Sequence, residues 1–141
     1  SCYGEGKLYP EDAISRTHVE RWMDWELATW QPAFLDLFWR YYRTPESEHN
    51  PQLIEEAAQR CEKSLNILEG QLAKQPYLAG EAFTLADICC GSALYRYFNL
   101  GYHGVIKPPH VVAWFHRLTK HPAYRKRIAL SFSELHGRLA F

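Results

Sequence analysis

The pattern of hydrophobic positions along the chain predicts helices and no β-strands. Apolar residues recur at steps of three and four over most of the 141 residues, and proline and glycine separate these segments. No stretch alternates apolar and polar residues for the length of a useful strand. We therefore predict an all-α fold, a bundle of about five helices with a long kinked first helix and a buried central helix.

The first helix is predicted over residues 11–43 and carries two apolar stripes. Both advance by three and four residues and lie on nearly opposite sides of the helix; one holds Val19, Met23, Leu27, Trp30, Phe34, Leu37 and Tyr41, the other Trp22, Trp25, Ala28, Pro32, Leu35, Trp39 and Tyr42. Pro32 deletes a backbone donor and is expected to kink the helix near its middle. A surface helix needs one apolar face, so the second must be covered by the rest of the domain, another domain, another subunit or a ligand.

Two polar edges separate these stripes. Asp24 and Gln31, seven residues apart, share a narrow edge. Asp24 adjoins the second stripe, so it is a candidate for a polar contact in a cleft, with a plain surface carboxylate as the alternative. The opposite edge is expected to be solvated and holds Glu26, Thr29, Asp36 and Arg40.

Four further helices are predicted. One covers residues 52–74 with a single buried stripe, and a largely apolar one covers residues 85–100 and is expected to be central. Pro109 opens a fourth helix that ends near Thr119, and a short basic helix ends near Leu130. A tail over residues 131–141 is expected to pack on the domain through Phe132, Leu135, Leu139 and Phe141.

The start of the central helix has the strongest local signal. Thr84 and Asp87 stand three residues apart, as in a capping box, and Phe83 and Ile88 stand where a hydrophobic staple requires them. A buried helix start without a cap would leave amide donors unpaired. These four residues are therefore expected to be structural.

Composition excludes several classes of function. Sixteen Lys and Arg balance sixteen Asp and Glu, which removes the usual electrostatic basis for binding nucleic acid. No apolar run is long enough to span a membrane, and no signal peptide is recognisable. The charge is uneven, however: residues 101–141 are strongly basic, which fits packing against the acidic remainder or a basic patch facing an anionic ligand.

The chain has no motif for a self-contained active site. It contains no glycine-rich phosphate loop, no metalloprotease or nucleophile-elbow motif, and no paired cysteine ligands, so we expect no metal. Three histidines, His110, His116 and His121, are expected on the surface. The four cysteines are expected to be reduced, and mostly buried, which favours a cytoplasmic location.

Several segments resemble one family in the right order. Residues 83–88, Phe-Thr-Leu-Ala-Asp-Ile, resemble the capping box and staple that open the central helix in the C-terminal domain of glutathione transferases. Residues 21–25 resemble the start of the first long helix in bacterial members, and residues 43–45 resemble the loop after it in one subgroup. The resemblance extends over about residues 3–130 and points to theta- or beta-like bacterial enzymes.

This resemblance implies a domain organisation for the chain and a role for each domain. Residues 1–10 look like a remnant of the interdomain linker, residues 11–130 like the helical domain, and residues 131–141 like its tail. The thioredoxin-like N-terminal domain, which binds most of the glutathione and activates its thiol, is missing. The helical domain supplies the electrophile pocket and part of a homodimer interface, so the isolated domain is expected to be inactive and to hold no catalytic residue.

The resemblance also implies candidate substrate contacts. Asp24 falls where some bacterial members contact glutathione, Gln31 where certain members make a polar contact, and Arg96 near a position that lines the electrophile pocket. An apolar wall would come from Trp25, Leu27, Ala28, Leu35 and Trp39. A structural role remains the alternative for each. Two other functions stay open: a non-catalytic scaffold built on this fold, and a stand-alone ligand-binding protein.

Overall fold

A computed structural model describes residues 8–140 of the chain and shows five helices. Helix α1 is a continuous helical rod over residues 13–43. The others are α2 (Pro51–Leu72), α3 (Leu85–Gly91 and Leu94–Phe98), α4 (Pro109–Thr119) and α5 (Pro122–Arg127). No strand occurs among the described residues, only an isolated bridge between Tyr77 and Gly80. The all-α prediction is therefore confirmed.

Helix α1 is long and irregular. The Asp12 side chain caps its start by accepting from the Ser15 amide, and two wider π-type turns, Glu26–Trp30 and Phe38–Arg43, interrupt the α-helical geometry. The first of these turns lies directly before Pro32, the residue expected to disturb the helix. Proline has no amide hydrogen and crowds the preceding turn, and both proline and π-type turns are recognised causes of helix irregularity.

Helix α2 follows the predicted pattern closely. The Asn50 side chain caps its start by accepting from the Leu53 amide. Every residue of the predicted stripe is buried, with Ala57 and Ser64 beside it: Ile54, Ala58, Cys61, Leu65, Leu68 and Leu72. This face packs mainly against the middle of α1 and against α4.

The predicted central helix is not continuous. It breaks at Ser92 and Ala93 into two segments. The Ser92 hydroxyl donates to the Cys89 carbonyl oxygen (2.8 Å), and the Tyr124 hydroxyl donates to the Gly91 carbonyl oxygen (2.9 Å), so both acceptors find partners outside the regular helical pattern. The helix is also buried on one side only, because Ser92, Arg96 and Asn99 are exposed.

A buried carboxylate joins α3 to the rest of the bundle. Asp87 is fully buried and accepts hydrogen bonds from the Leu78 amide (3.0 Å), the Thr84 amide (2.9 Å) and Trp114 Nε1 (3.0 Å). Burial raises the pKa of the Asp87 carboxyl group, and these hydrogen bonds act in the opposite direction. The start of α3, the preceding loop and α4 therefore meet at one side chain.

The tail lies against the C-terminal end of α1. Phe132 is buried among aromatic rings that include Phe38 and Tyr42, and the Gly137 amide donates to the Tyr42 carbonyl oxygen (2.8 Å). The buried Arg43 side chain donates to backbone carbonyl oxygens of the tail. Leu139 does not dock as expected, since 52% of it is exposed.

Part of the predicted organisation lies outside the described residues. Most of the expected linker, residues 1–7 including Cys2, and the last residue, Phe141, are among these. Within residues 8–140, no helix is both long and apolar enough to cross a membrane.

Candidate functional site

A cavity of about 280 Å³ lies between α1, α3 and the C-terminal end of α5. Its size suits a small molecule of one or two rings. Its walls combine apolar and polar side chains and are built from Glu26, Gln31, Phe34, Leu35, Ser92, Ala93, Arg96, Arg127 and Ile128.

The irregular backbone segments of two helices border this cavity. Glu26 begins the first π-type turn of α1, and Ser92 and Ala93 form the break in α3. The helices are tied together beside it, because Trp30 Nε1 donates to the Cys90 carbonyl oxygen (3.2 Å). π-type turns inside α-helices are frequent at functional sites.

Glu26 is the most unusual residue of the cavity. It is only 6% exposed, and among residues 8–140 no group donates a hydrogen bond to its carboxylate or pairs with it as an ion. Burial raises the pKa of the Glu26 carboxyl group for this reason. One turn earlier on α1, Trp22 Nε1 is fully enclosed and has no hydrogen-bond partner among the described residues, whereas the Glu26 oxygens still reach the cavity.

The prediction that Glu26 lies on a solvated edge is wrong. Glu26 stands seven residues after Val19 and four before Trp30, which places it on the buried stripe of α1. The spacing alone predicts that Glu26 is buried, whereas the charge of a glutamate favours an exposed position. The other three members of that edge fit better: Thr29 is exposed, and Asp36 and Arg40 are intermediate and pair with each other.

Two arginines stand at the edge of the cavity. Arg96 is exposed, and its guanidinium group lies 5.9 Å from the ring centres of both Phe38 and Phe132. Arg127 comes from the basic segment at the end of the chain and was not predicted as a site residue. The uneven charge of the sequence was the available signal for it, as one of the two readings was a basic patch facing a ligand.

The structure brings three of the eight predicted contact residues together. Gln31, Leu35 and Arg96 all line the cavity. Ala28 instead lines a second groove of about 450 Å³ between α1 and α2, together with Thr29, Pro32, Ala33, Asp36, Arg60, Lys63, Ser64 and Ile67.

The other four predicted contact residues lie outside the cavity lining. Asp24 is exposed, and Trp25 is half-buried with its ring edge-on to Trp22 at 5.4 Å. Leu27 is 62% exposed, and Trp39 is 37% exposed with the Arg43 guanidinium 4.4 Å from its ring centre. Apart from the buried Trp22, the second apolar stripe of α1 thus stays largely uncovered by the described residues, and Leu27 of the first stripe is exposed as well.

The predicted structural residues hold the start of α3. Thr84 and Asp87 form a capping box, and the Thr84 hydroxyl also donates to the Asp87 carboxylate (3.2 Å). Phe83 and Ile88 flank this cap and are both half-buried. The ring of Phe83 contacts Tyr77 and stacks on His121 at 4.1 Å.

The cysteines and histidines provide no further reactive centre among the described residues. Cys61 and Cys90 are buried, Cys89 is half-buried, and burial raises the pKa of the Cys61 thiol to about 12. His110 and His116 are exposed, as expected, whereas His121 is half-buried. In the described part of the chain, no group of three or more His, Cys, Asp or Glu side chains could hold a metal ion.

Comparison with known proteins gives this all-helical domain its class. The family profile described as "Glutathione S-transferase, C-terminal domain" matches residues 30–122. The chain therefore belongs to the glutathione S-transferase C-terminal domain family. The chain is 29% identical over 131 residues to glutathione S-transferase GstB of Escherichia coli K12, and the match covers 93% of this chain and 62% of that protein.

Solved structures agree with this assignment. A theta-class glutathione S-transferase from Xanthomonas axonopodis pv. citri with glutathione bound is 37% identical, with a TM-score of 0.83 over 88% of this chain and 65% of that one. Glutathione S-transferase I from maize, in complex with an atrazine glutathione conjugate, is 25% identical, with a TM-score of 0.78 over 96% of this chain and 63% of that one. The chain thus spans less than two thirds of the length of these relatives.

Proposed function

We propose that this chain is the electrophile-binding and dimer-forming half of a glutathione transferase. The observation that carries the proposal is the cavity between α1 and α3, which unites Gln31, Leu35 and Arg96 on a fold shared with glutathione transferases. A hydrophobic electrophile would pack on Leu35, Phe34 and Ile128 and direct its polar group towards the polar side chains that line the same cavity.

The chemistry would be attack of a glutathione thiolate on the bound electrophile. A thioredoxin-like domain would bind glutathione, the co-substrate, and lower the pKa of its thiol, while this chain holds the electrophile in reach, so that the reaction gains from proximity. The described cysteines are unsuited to replace glutathione as the nucleophile, because burial raises the pKa of each of these thiols. Asp24 and the uncovered wall of Trp25, Leu27 and Trp39 would face that domain or its bound glutathione.

A second copy of the chain is the partner that we propose for the groove between α1 and α2. The groove is lined mostly by apolar surface and is bordered by Ile67, which is 49% exposed. Helix faces of this kind are covered in stable assemblies. Homodimer formation would leave the cavity between α1 and α3 free for the electrophile.

The test begins with the intact mass of the protein in its source cell and continues with the complete gene product. Glutathione conjugation is followed with 1-chloro-2,4-dinitrobenzene as the electrophile. Leu35→Ala should raise the KM for the electrophile severalfold and leave the KM for glutathione unchanged, because Leu35 lines only the electrophile's cavity. The 141-residue chain alone should not accelerate conjugation.

A matched control uses the same substitution at another exposed leucine. Leu53→Ala, at the start of α2 and outside the cavity, should leave both constants unchanged. Equal changes in both KM values for Leu35→Ala, or a complete and folded gene product without transferase activity, would contradict the proposal.

The scaffold alternative rests on the exposed apolar residues of α1. Leu27, Leu35 and Trp39 are all partly exposed and could dock a partner protein instead of a catalytic domain. A complete gene product near 16.5 kDa that lacks conjugating activity would favour this second function.

A further inference from the structure

The buried carboxylate of Glu26 is the strongest unexplained feature of the molecule. Glu26 is 6% exposed and lines the cavity, and no described group donates a hydrogen bond to its carboxylate. Its oxygens still reach the cavity, because among the described residues the fully enclosed side-chain polar atom without a partner is Trp22 Nε1. A largely buried carboxylate that receives no donor from the protein is nevertheless costly. Such a cost is commonly retained where a ligand supplies the missing donor.

The surroundings of Glu26 restrict what that donor can be. Arg96 and Arg127 line the same cavity, so a cationic ligand would meet two positive charges at its edge. The thiols of Cys89 and Cys90 lie near the carboxylate, but neither donates a hydrogen bond to it. The Cys90 thiol donates to the Trp22 carbonyl oxygen instead (3.3 Å). A neutral hydroxyl or amide N–H meets the carboxylate without opposing the arginines.

The rest of the cavity describes the body of the ligand. Phe34, Leu35, Ala93 and Ile128 offer an apolar wall, and the volume of about 280 Å³ admits one or two rings. The donor must therefore sit on a compact apolar skeleton, as in a phenol or an aryl amide.

We propose that Glu26 is a specificity-determining residue, and that this cavity selects small aromatic compounds carrying a neutral hydroxyl or N–H group, which donates to the Glu26 carboxylate. The inference builds on the proposed function, because it assigns a substrate class to the electrophile's cavity. It predicts discrimination between compounds of equal apolar size that differ only in the donor.

The test is direct binding to the 141-residue chain without glutathione, measured by titration calorimetry at mildly alkaline pH, which favours ionised carboxylates. The probes are 2-naphthol and 2-methoxynaphthalene, which differ in that methylation removes the donor. The unmodified chain should bind 2-naphthol about tenfold more tightly, as expected for one hydrogen bond to a charged group. Glu26→Leu should abolish this preference while both probes still bind, and Glu26→Gln should retain part of it, because the amide oxygen still accepts.

A matched control distinguishes a local effect from a general one. Glu62→Leu makes the same change on the exposed face of α2, away from the cavity, and should keep the tenfold preference. Equal binding of the two probes by the unmodified chain, a preference that survives Glu26→Leu, or binding of neither probe would overturn the inference. Because no glutathione is present, the inference can fail while conjugation by the complete protein succeeds, and the reverse.

Discussion

Glu26 places a carboxyl group where burial disfavours its charged form, and we propose that this position serves ligand binding. Its carboxylate is buried beside the cavity, and the described residues give it no donor, although an apolar side chain of similar length would fit that environment without this cost. Asp87 is equally polar and more deeply buried, yet it accepts from three backbone and indole N–H groups. The contrast separates a carboxylate that organises the fold from one that we propose binds a ligand.

The pH dependence of stability should reveal Glu26. Burial raises its pKa above the ordinary value of 4.5, so the folded chain binds more protons than the unfolded chain just above that pH. Stability is therefore lost as pH rises through this window, and it is fully present below it. Glu26→Gln should be more stable than the unmodified chain at neutral pH, and this advantage should shrink as the pH falls towards 4.5.

Urea unfolding at several pH values, followed by circular dichroism, measures this difference. Glu62→Gln is the control, because Glu62 is exposed and its neutralisation should not change the pH dependence. An advantage of Glu26→Gln that stays constant down to acidic pH would show that the carboxylate is not desolvated in the folded chain.

At the scale of elements, the regular helices could be predicted and the irregular ones could not. Helix α2 has one apolar period, an Asn50 cap and a proline at its first position, and all of these are local signals. At the break in α3, the Tyr124 hydroxyl donates to the Gly91 carbonyl oxygen from another helix. Such a tertiary contact leaves no periodic trace near Gly91 itself.

The candidate site divides along the same line. Gln31, Leu35 and Arg96 could be predicted from periodicity and resemblance, because each lies on a helix whose position in the bundle could be inferred. Arg127 lines the cavity because the end of α5 packs near α1 and α3, a tertiary contact that the local sequence pattern does not encode. The burial of Glu26 could be predicted from its spacing on α1, whereas its residue type favours an exposed position.

The packing of α3 against α4 should be sensitive at Gly91. A β-carbon built there would lie 2.4 Å from Cδ1 of Leu118, which is buried beside Trp114. Gly91→Ala should therefore destabilise the chain by about 1–3 kcal/mol through overpacking, despite the better helix propensity of alanine.

Gly70 provides the matched control for this substitution. It lies within α2, is exposed, and a β-carbon there would meet no atom within 4 Å. Gly70→Ala should therefore stabilise the chain by about 0.5–1 kcal/mol, since only the propensity remains. Denaturant unfolding of both variants tests the pair, and changes of the same sign would mean that α3 does not approach α4 as closely as the structure shows.

At the scale of the whole molecule, two surfaces of α1 remain open and would have different occupants. The cavity with Glu26 and Leu35 borders α3, whereas the groove with Ala28 and Pro32 borders α2. A long helix with two apolar faces can connect a ligand site to a subunit interface without either occupying the other's surface. This separation makes the two proposals independently testable.

Ile67→Lys tests the proposed homodimer. Ile67 is 49% exposed at the groove between α1 and α2, where Arg60 and Lys63 already contribute positive charge. A two-fold interface contains each substituted position twice, so two lysines would be introduced at one contact. At about tenfold per lysine, the dimer dissociation constant should rise about a hundredfold, as measured by sedimentation velocity over a range of concentrations.

Leu53→Lys, at an exposed leucine outside both surfaces, should leave the dimer dissociation constant unchanged. The Ile67→Lys chain should still prefer 2-naphthol, because the cavity lies on the other side of α1; an unmodified chain that is monomeric at every concentration would refute the homodimer.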